Sequence, residues 1–206
     1  MDKKQHIIET AIELFAQKGF EGTSIRDLAE KADVNVAMIN YYFGSKEKLF
    51  EQLVEYKAAY TRGLLDEITK NKSLSDIEKI DLIIENYVNR IFSNRNYHRV
   101  ITQELMLQKE STQQIIVDLL FPNSVLIKSV IDSGIRKGSF KKIDSGLTIA
   151  TIIGTINQIL LSKKMCNKML NKDESFIPYD DVKFKNKVTD HLKQLMHSHL
   201  LIQSKR

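Results

Sequence analysis

The chain has 206 residues, of which 42% are hydrophobic and 28% are charged, with eight glycines, two prolines and one cysteine. This composition excludes fibrous and intrinsically disordered proteins and indicates a helix-rich globular protein with a substantial core. The lone Cys166 excludes an internal disulfide and favours the reducing cytoplasm. The net charge of +5 does not by itself indicate nucleic-acid binding, because residues 1–50 carry seven basic and eight acidic side chains, a net charge of −1.

Three short helices are predicted at the N-terminus. Apolar residues at helical spacing, with charged residues between them, predict the first helix near residues 4–18. Thr23 or Ser24 supplies an N-cap for a second, short helix. Asn35 can cap a third helix, which ends before Gly44 because glycine adopts the backbone conformation that commonly follows a helix.

Longer helices are predicted over the rest of the chain, where no strand pattern or internal repeat occurs. One of them is expected to begin near Pro122, because proline is tolerated in the first turn of a helix. The fold class is therefore all-α, with a three-helix helix-turn-helix domain at residues 1–48 and a larger helical domain at residues 49–206. The predicted longer helices span residues 45–69, 77–91, 97–109, 122–138, 144–170 and 181–202.

The third predicted helix has two different faces. On a helical wheel, Ile39 and Tyr42 fall on one inward face, which Phe43 extends. The opposite, outward face of this helix carries Val36, Ala37, Asn40 and Tyr41. Two short helices joined by a tight turn, with a packing helix before them, form the arrangement that places a recognition helix in the major groove of DNA.

The outward residues have chemistry suited to DNA. The Asn40 amide can pair bidentately with adenine, the Tyr41 phenol can reach a phosphate, and Ala37 is small enough for close approach. The alternative is an ordinary solvated helix face with a tyrosine on it. Helix starts at Ser24 and at Lys46 add backbone N–H groups, a positive dipole end and nearby cations, although each is also an ordinary cap.

Three motifs lie within residues 7–53: A-x-x-L-F-x-x-x-G-F at 11–20, G-T-S-I-R-D-L-A at 22–29 and Y-F-G-S-K-E-K-L at 42–49. In these motifs the chain resembles the N-terminal domain of TetR-family transcriptional regulators, over about a quarter of its length. The resemblance implies a dimeric, all-helical repressor that binds operator DNA through its helix-turn-helix and holds an effector in a divergent C-terminal domain.

Carried over position by position, the resemblance implies a set of DNA contacts. Position 40 is often aromatic in the family but is Asn40 here, which favours base reading over a phosphate contact. Position 33 is often glycine but is Asp33 here, so the turn must adopt a conformation that aspartate accepts. The implied DNA-binding residues are Ser24, Arg26, Asn35, Val36, Ala37, Asn40, Tyr41, Tyr42 and Lys46.

A homodimer is expected from the last helices. Small residues recur at every fourth position of the helix from residue 144, which lets another helix come close. The resemblance implies that the last two helices of each copy pair in a four-helix bundle, so that the operator is an inverted repeat. Packing within one chain is the alternative. The predicted interface residues are Gly146, Ala150, Ile153, Gly154, Leu192, Leu195 and Met196.

A pocket for an unidentified small-molecule effector is expected among the helices between about residues 60 and 160. Effector binding would favour a dimer whose recognition helices no longer match adjacent grooves, which would lower operator affinity. For each candidate residue the alternative is an ordinary structural role. The candidates are Tyr60, Tyr87, Tyr97, His98, Glu104, Gln108 and Phe121.

Enzymatic and membrane functions are not predicted. No P-loop, dinucleotide-binding motif or carboxylate cluster occurs, and no metal-binding pattern or cofactor motif is present. The longest uncharged run, residues 145–162, is too polar for a membrane span. The remaining alternative to an operator-binding repressor is a protein of the same fold that binds another protein instead, which the net charge of −1 over residues 1–50 favours.

Overall fold

The computed structural model describes residues 2–202, apart from the side chain of Leu161. This part of the chain forms ten α-helices and no strand, which confirms the all-α class. A short 3-10 helix, Pro178–Asp180, precedes the last of them. The helices are α1 (Lys3–Lys18), α2 (Ile25–Lys31), α3 (Val36–Phe43), α4 (Lys46–Lys70), α5 (Asp76–Ser93), α6 (Arg95–Leu107), α7 (Glu110–Lys137), α8 (Ser145–Leu161), α9 (Lys163–Met169) and α10 (Val182–Leu200).

Short polar side chains fix the starts of the later helices. Asp144 begins α8, where its Oδ1 accepts the backbone N–H of Leu147 at 2.8 Å. Asp181 begins α10 in the same way, accepting the N–H of Phe184 at 2.7 Å. Such side chains satisfy backbone donors that have no partner within the first turn, so the predicted starts of both helices are confirmed.

The helix expected to begin near Pro122 begins instead at Glu110, so the prediction of its start is wrong. Proline inside a helix lacks an N–H donor and usually ends or kinks it. Here the side chain of Arg62 donates from Nη2 to the Leu119 carbonyl oxygen, one turn before the proline, at 3.0 Å. The helix continues through the proline, and Arg62 anchors the turn before it to α4. By length and apolar composition α7 could also cross a membrane, a property that core helices of globular proteins share.

The single helix predicted over residues 144–170 is two helices, α8 and α9. Ser162 lies between them with an extended backbone, φ −146° and ψ 111°. Its hydroxyl oxygen accepts the N–H of Met165 at 3.2 Å and so caps α9. Serine competes with helix continuation in this way, because its side chain offers the backbone an alternative hydrogen bond.

The helices form two compact units. The first contains Met1–Gly63 and Asn94–Asn123, and the second contains Leu64–Ser93 and Ser124–Arg206. The domain boundary expected at residue 48 divides the chain differently, because α6 packs against α1 and buries Tyr97, Val100 and Ile101 in the core of the N-terminal helices. The surface that surrounds α3 is therefore supported by residues about fifty positions or more away in sequence.

In the second unit the apolar face of α10 packs against α5. Leu192 and Met196 are 0% and 1% exposed, so they are removed from the predicted dimer interface. The reason is that one helix face cannot line both the interior of its own chain and a partner surface. Leu195 is 37% exposed. On α8, Ile153 is partly buried, and the exposed members of the predicted interface are Gly146, Ala150 and Gly154.

Candidate nucleic-acid interface

Core packing sets the orientation of α3. Ile39 and Phe43 are 1% and 3% exposed and belong to the core of the first unit. Tyr42 packs partly buried against the same core. The helix begins at Asn35, whose Oδ1 accepts the backbone N–H of Met38 at 2.8 Å. With its inward face and its first turn both held, α3 presents a fixed outward face.

The outward face of α3 projects into solvent, as the helical wheel predicted. Tyr41 is 84% exposed, Val36 is 36% exposed, and Ala37 and Asn40 are exposed as well. The centroids of the Tyr41 and Tyr42 rings lie 5.4 Å apart in an edge-to-face arrangement, so the exposed Tyr41 ring packs on the partly buried Tyr42 ring. A short rigid helix that displays an amide and a phenol has the dimensions and chemistry of a major-groove reader.

The turn between α2 and α3 contains Asp33, which has a left-handed backbone with φ 51°. The adjacent N–H of Val34 donates to the Ala29 carbonyl oxygen at 3.0 Å and closes the turn. Aspartate is among the residues that tolerate this conformation, because its short polar side chain can bond locally. The expectation that the turn has a conformation acceptable to aspartate is confirmed.

The start of α2 is a reciprocal cap between Ser24 and Asp27. The Ser24 Oγ accepts the Asp27 N–H at 3.1 Å, and the Asp27 carboxylate accepts the Ser24 N–H at 2.8 Å and the Ser24 hydroxyl. The hydrogen bond from Lys18, followed by those from Ser24, holds the pKa of Asp27 far below its ordinary 3.8. The Ser24 hydroxyl therefore serves the cap, and Arg26 is the exposed cation of this turn.

Lys46 points into the protein. Its Nζ donates to the carbonyl oxygens of Phe20 at 3.0 Å and Thr23 at 3.1 Å, and it lies 4.4 Å from the centroid of the Phe20 ring. One sequence signal could have shown this, because Lys46 precedes the fully buried Leu49 and Phe50 by three and four residues and so shares their helix face. Lys48, which sequence reasoning did not select, is exposed on the same turn.

The predicted effector-lining residues are distributed over both units. Tyr87 lies in the second unit. Burial raises the pKa of its phenol to about 12, although the positive charge of Arg90 acts to lower it. Glu104 accepts hydrogen bonds from Phe20 and Thr112 and belongs to the framework of the first unit. In the first unit Tyr60, Gln108 and Phe121 are exposed, His98 is partly buried, and Tyr97 and Glu104 are buried.

Cys166 is buried, and burial raises the pKa of its thiol above the ordinary 9.0, whereas nucleophilic catalysis requires a lowered thiol pKa. Within residues 2–202, no group of three or more His, Cys, Asp or Glu side chains is placed to hold a metal ion. The exposed face of α3 remains the best-formed candidate site.

Two family profiles match the chain. The profile described as "Bacterial regulatory proteins, tetR family" matches residues 7–53, which contain α2, α3 and most of α1. The profile described as "Tetracyclin repressor-like, C-terminal domain" matches residues 73–161. The matched segments thus include the candidate interface and a large part of the helical remainder.

Several known proteins are similar to the chain. The Bacillus subtilis protein named "Probable HTH-type transcriptional regulator YttP" is 31% identical over 138 residues, which cover 66% of this chain and 67% of that protein. The "Fatty acid metabolism regulator protein" of Bacillus subtilis is 25% identical over 197 residues, covering 95% of this chain and 96% of that protein. The solved structure of the transcriptional regulator FadR from Bacillus subtilis, in complex with stearoyl-CoA, matches the fold with a TM-score of 0.71 at 24% identity, covering 91% and 96% of the two chains.

Proposed function

This chain belongs to the TetR family of bacterial transcriptional regulators, and from this premise we propose that it represses transcription as a homodimer that a small-molecule effector releases from its operator. That it is a DNA-binding regulator follows from the family. Occupation of an operator by the dimer blocks transcription from the promoter that contains it. The protein acts in the cytoplasm, where its DNA is.

The observation that carries the proposal is the exposed face of α3. Ile39 and Phe43 anchor the helix from within, and Asn40 and Tyr41 stand on the opposite side. The Asn40 amide reads an adenine edge, and the phenols of Tyr41 and Tyr42 contact the sugar-phosphate backbone of the DNA. Ala37 allows the helix to approach the bases. Asn35 and Val36 at the start of α3, with Ser24 and Arg26 at the start of α2, lie along the flanking phosphates.

The proposed dimer places one copy of α3 on each half-site of an inverted repeat. The exposed face of α8 supports this, because Gly146, Ala150 and Gly154 leave space for a helix of a second copy. Leu147 and Leu195, 69% and 37% exposed, offer apolar side chains that a partner could bury. Analytical ultracentrifugation at micromolar concentration tests this step, and a monomer there contradicts it.

A long-chain acyl thioester is the effector class that we propose to test first. Its support is the similarity over nearly the whole chain to a fatty acid metabolism regulator and, in fold, to a regulator solved with stearoyl-CoA. In a two-state regulator, an effector weakens operator binding only to the extent that it binds the released state more tightly. Stearoyl-CoA is therefore expected to reduce operator affinity, and stearate and free coenzyme A serve as controls.

Selection of binding sites from a random pool of DNA duplexes tests the proposed function. An enriched inverted repeat, bound with an affinity that falls steeply as salt rises, is the expected result. The alternative, a protein-binding module of the same fold, has one observation in its favour, the net charge of −1 over residues 1–50. Failure to enrich any duplex at low salt would exclude operator binding and leave that alternative.

A further inference from the structure

The main chain of Phe20 lies at a junction in the first unit. Phe20 belongs to the loop between α1 and α2, and its side chain is 3% exposed. Its ring packs against Phe15 and Phe50 at centroid distances of 5.4 and 5.1 Å. The loop continues directly into α2, so the placement of the Phe20 main chain determines where α2 begins and, through the tight turn that follows, where α3 lies.

Lys46 holds this junction from the carbonyl side. Its ammonium donates to the oxygens of Phe20 and Thr23 and lies over the Phe20 ring, in a cation–π contact. Carbonyl groups just beyond a helix need donors that the helix itself does not supply. A lysine that meets this need has two of its three ammonium hydrogens directed into its own chain.

Glu104 holds the same residue from the amide side. Its Oε1 accepts the Phe20 N–H at 3.4 Å, and its Oε2 accepts the hydroxyl of Thr112 at 3.0 Å. Glu104 and Thr112 are 2% and 1% exposed. A carboxyl group in the interior is costly unless hydrogen bonds compensate its lost hydration, so its presence there indicates a positional requirement.

A second contact joins the same two segments at the surface. Lys109 pairs with Glu21, the residue after Phe20, at 3.0 Å. Lys109 follows Gln108, whose left-handed φ of 51° marks the corner between α6 and α7. The corner, defined here as residues 104–112, therefore holds the α1–α2 loop through one buried and one exposed contact.

We propose that Lys46 and Glu104 are positioning residues that hold the Phe20 main chain from opposite sides and so couple the α6–α7 corner to the placement of α2 and α3 on DNA. Lys46 then acts on affinity through the loop and not as a phosphate contact. A displacement of the corner moves the loop and misaligns the reading face. The inference rests on the proposed binding of operator DNA.

The salt dependence of binding distinguishes the two roles of Lys46. Removing a cation that neutralises one phosphate flattens the slope of log affinity against log salt by about 0.9, so removing one such cation from each subunit of a dimer flattens it by roughly 1.8. Lys46→Ala is expected to weaken operator binding about tenfold with the slope unchanged. Arg26→Ala and Lys48→Ala, which remove exposed cations near α3, are the matched controls. If Lys46→Ala flattens the slope by roughly 1.8, the value for a phosphate-neutralising cation, the positioning role is overturned.

A pair of Glu104 variants tests the other side of the junction. Glu104→Leu keeps an interior side chain but removes both acceptors, and Glu104→Gln keeps an acceptor for the Phe20 N–H. Affinity is measured at a temperature at which circular dichroism shows every variant fully folded. Glu104→Leu is expected to lose about tenfold in affinity, and Glu104→Gln to stay within about twofold of the native protein. If Glu104→Leu does not fold, Thr112→Val is tested in its place. It removes the hydroxyl that donates to Oε2, and it is expected to lower operator affinity as well.

Hydrogen exchange in the free protein separates failure of this inference from failure of the proposed function. The Phe20 amide is expected to exchange faster in Glu104→Leu than in the native chain or in Glu104→Gln. This measurement needs no DNA, so it reports on the junction even if selection enriches no duplex. An unchanged Phe20 exchange rate together with native affinity in a folded Glu104→Leu protein would refute the inference while leaving operator binding intact.

Discussion

The proposed recognition helix α3 and the α1–α2 loop both belong to the first unit, yet contacts of very different range along the chain fix them. The first turn of α3 is held by Asn35, three residues from its partner Met38. The loop is held by Lys46, 26 residues from Phe20, and by Glu104, 84 residues from Phe20. The reading face is thus a local product of its sequence, whereas its placement depends on distant side chains.

This difference separates two ways of losing operator binding. Under the proposed function, a change on the outward face of α3 alters which sequence is read or how tightly every sequence is bound, and it leaves the fold intact because those side chains are exposed. A change in the loop alters how the whole face is presented and also affects the stability of the first unit. Variants on the outward face of α3 should therefore change DNA binding at native stability, whereas variants in the loop should lower both.

Gly22→Ala should produce the largest effect, in the loop. A Cβ atom at position 22 would lie 2.3 Å from the carbonyl oxygen of Lys18, a backbone atom that cannot move without disturbing the end of α1. We expect a loss of about 2–3 kcal/mol in the free energy of unfolding, measured by urea denaturation, together with weaker binding to every sequence. The control is Gly63→Ala on α4, where an added Cβ would meet no atom within 4 Å outside the adjoining backbone, so alanine should stabilise the helix by about 0.5–1 kcal/mol. Equal stability of Gly22→Ala and the native protein would show that the loop is not tightly held.

Asn40→Ala should relax the preference at one base pair of each half-site. A bidentate amide–adenine contact contributes about 1–3 kcal/mol of discrimination, so the selected site should lose information at that position only. Because Asn40 is exposed, the unfolding free energy should stay within about 0.5 kcal/mol of the native value. Tyr41→Phe, which removes only a hydroxyl, should weaken all sequences alike. An unchanged selected motif for Asn40→Ala contradicts base reading by this side chain.

Asn35→Ala tests the local part of the comparison. The Asn35 side chain caps α3 by accepting the Met38 N–H, and loss of such a cap typically costs about 1 kcal/mol. Asn35→Ser, which keeps a capping oxygen, is expected to retain most of the stability. The measurement is again urea denaturation, in which equal losses for the alanine and serine variants would argue against capping as the cause.

Features of the fold that depend on short-range signals were predicted from the sequence. The exposed and buried faces of α3 follow from helical periodicity, and the starts of α8 and α10 follow from Asp144 and Asp181. Each cap bonds a backbone N–H within one turn, and each face of α3 is set by the spacing of residues within that helix. Propensity and periodicity describe such contacts directly.

Features that depend on distant partners were not predicted. Pro122 is a local signal for the start of a helix, but α7 passes through it, and Arg62, 57 residues from Leu119, bonds the turn before the proline. Lys46 reads locally as a cation at a helix start, whereas carbonyl groups more than twenty residues away direct its ammonium inward. The face of α10 carried an apolar pattern that fits a partner subunit as well as its own core, so the pattern alone could not decide between them.

The smallest predicted effect concerns acid stability at the cap of α2, where local and distant contacts meet. Lys18 and Ser24 lower the pKa of Asp27 below its ordinary 3.8, so the folded protein favours the charged carboxylate more than the unfolded chain does. This stabilising contribution is fully present above about pH 4 and is lost as the pH falls through the lowered pKa. Asp27→Asn should therefore have a lower Tm than the native protein at neutral pH, with a difference that shrinks in acid. Glu30→Gln, an exposed charge removal on the same helix, is the control and should show a smaller difference at neutral pH. A Tm difference for Asp27→Asn that persists unchanged in strong acid would mean that the altered hydrogen-bond geometry, and not the missing charge, destabilises the cap.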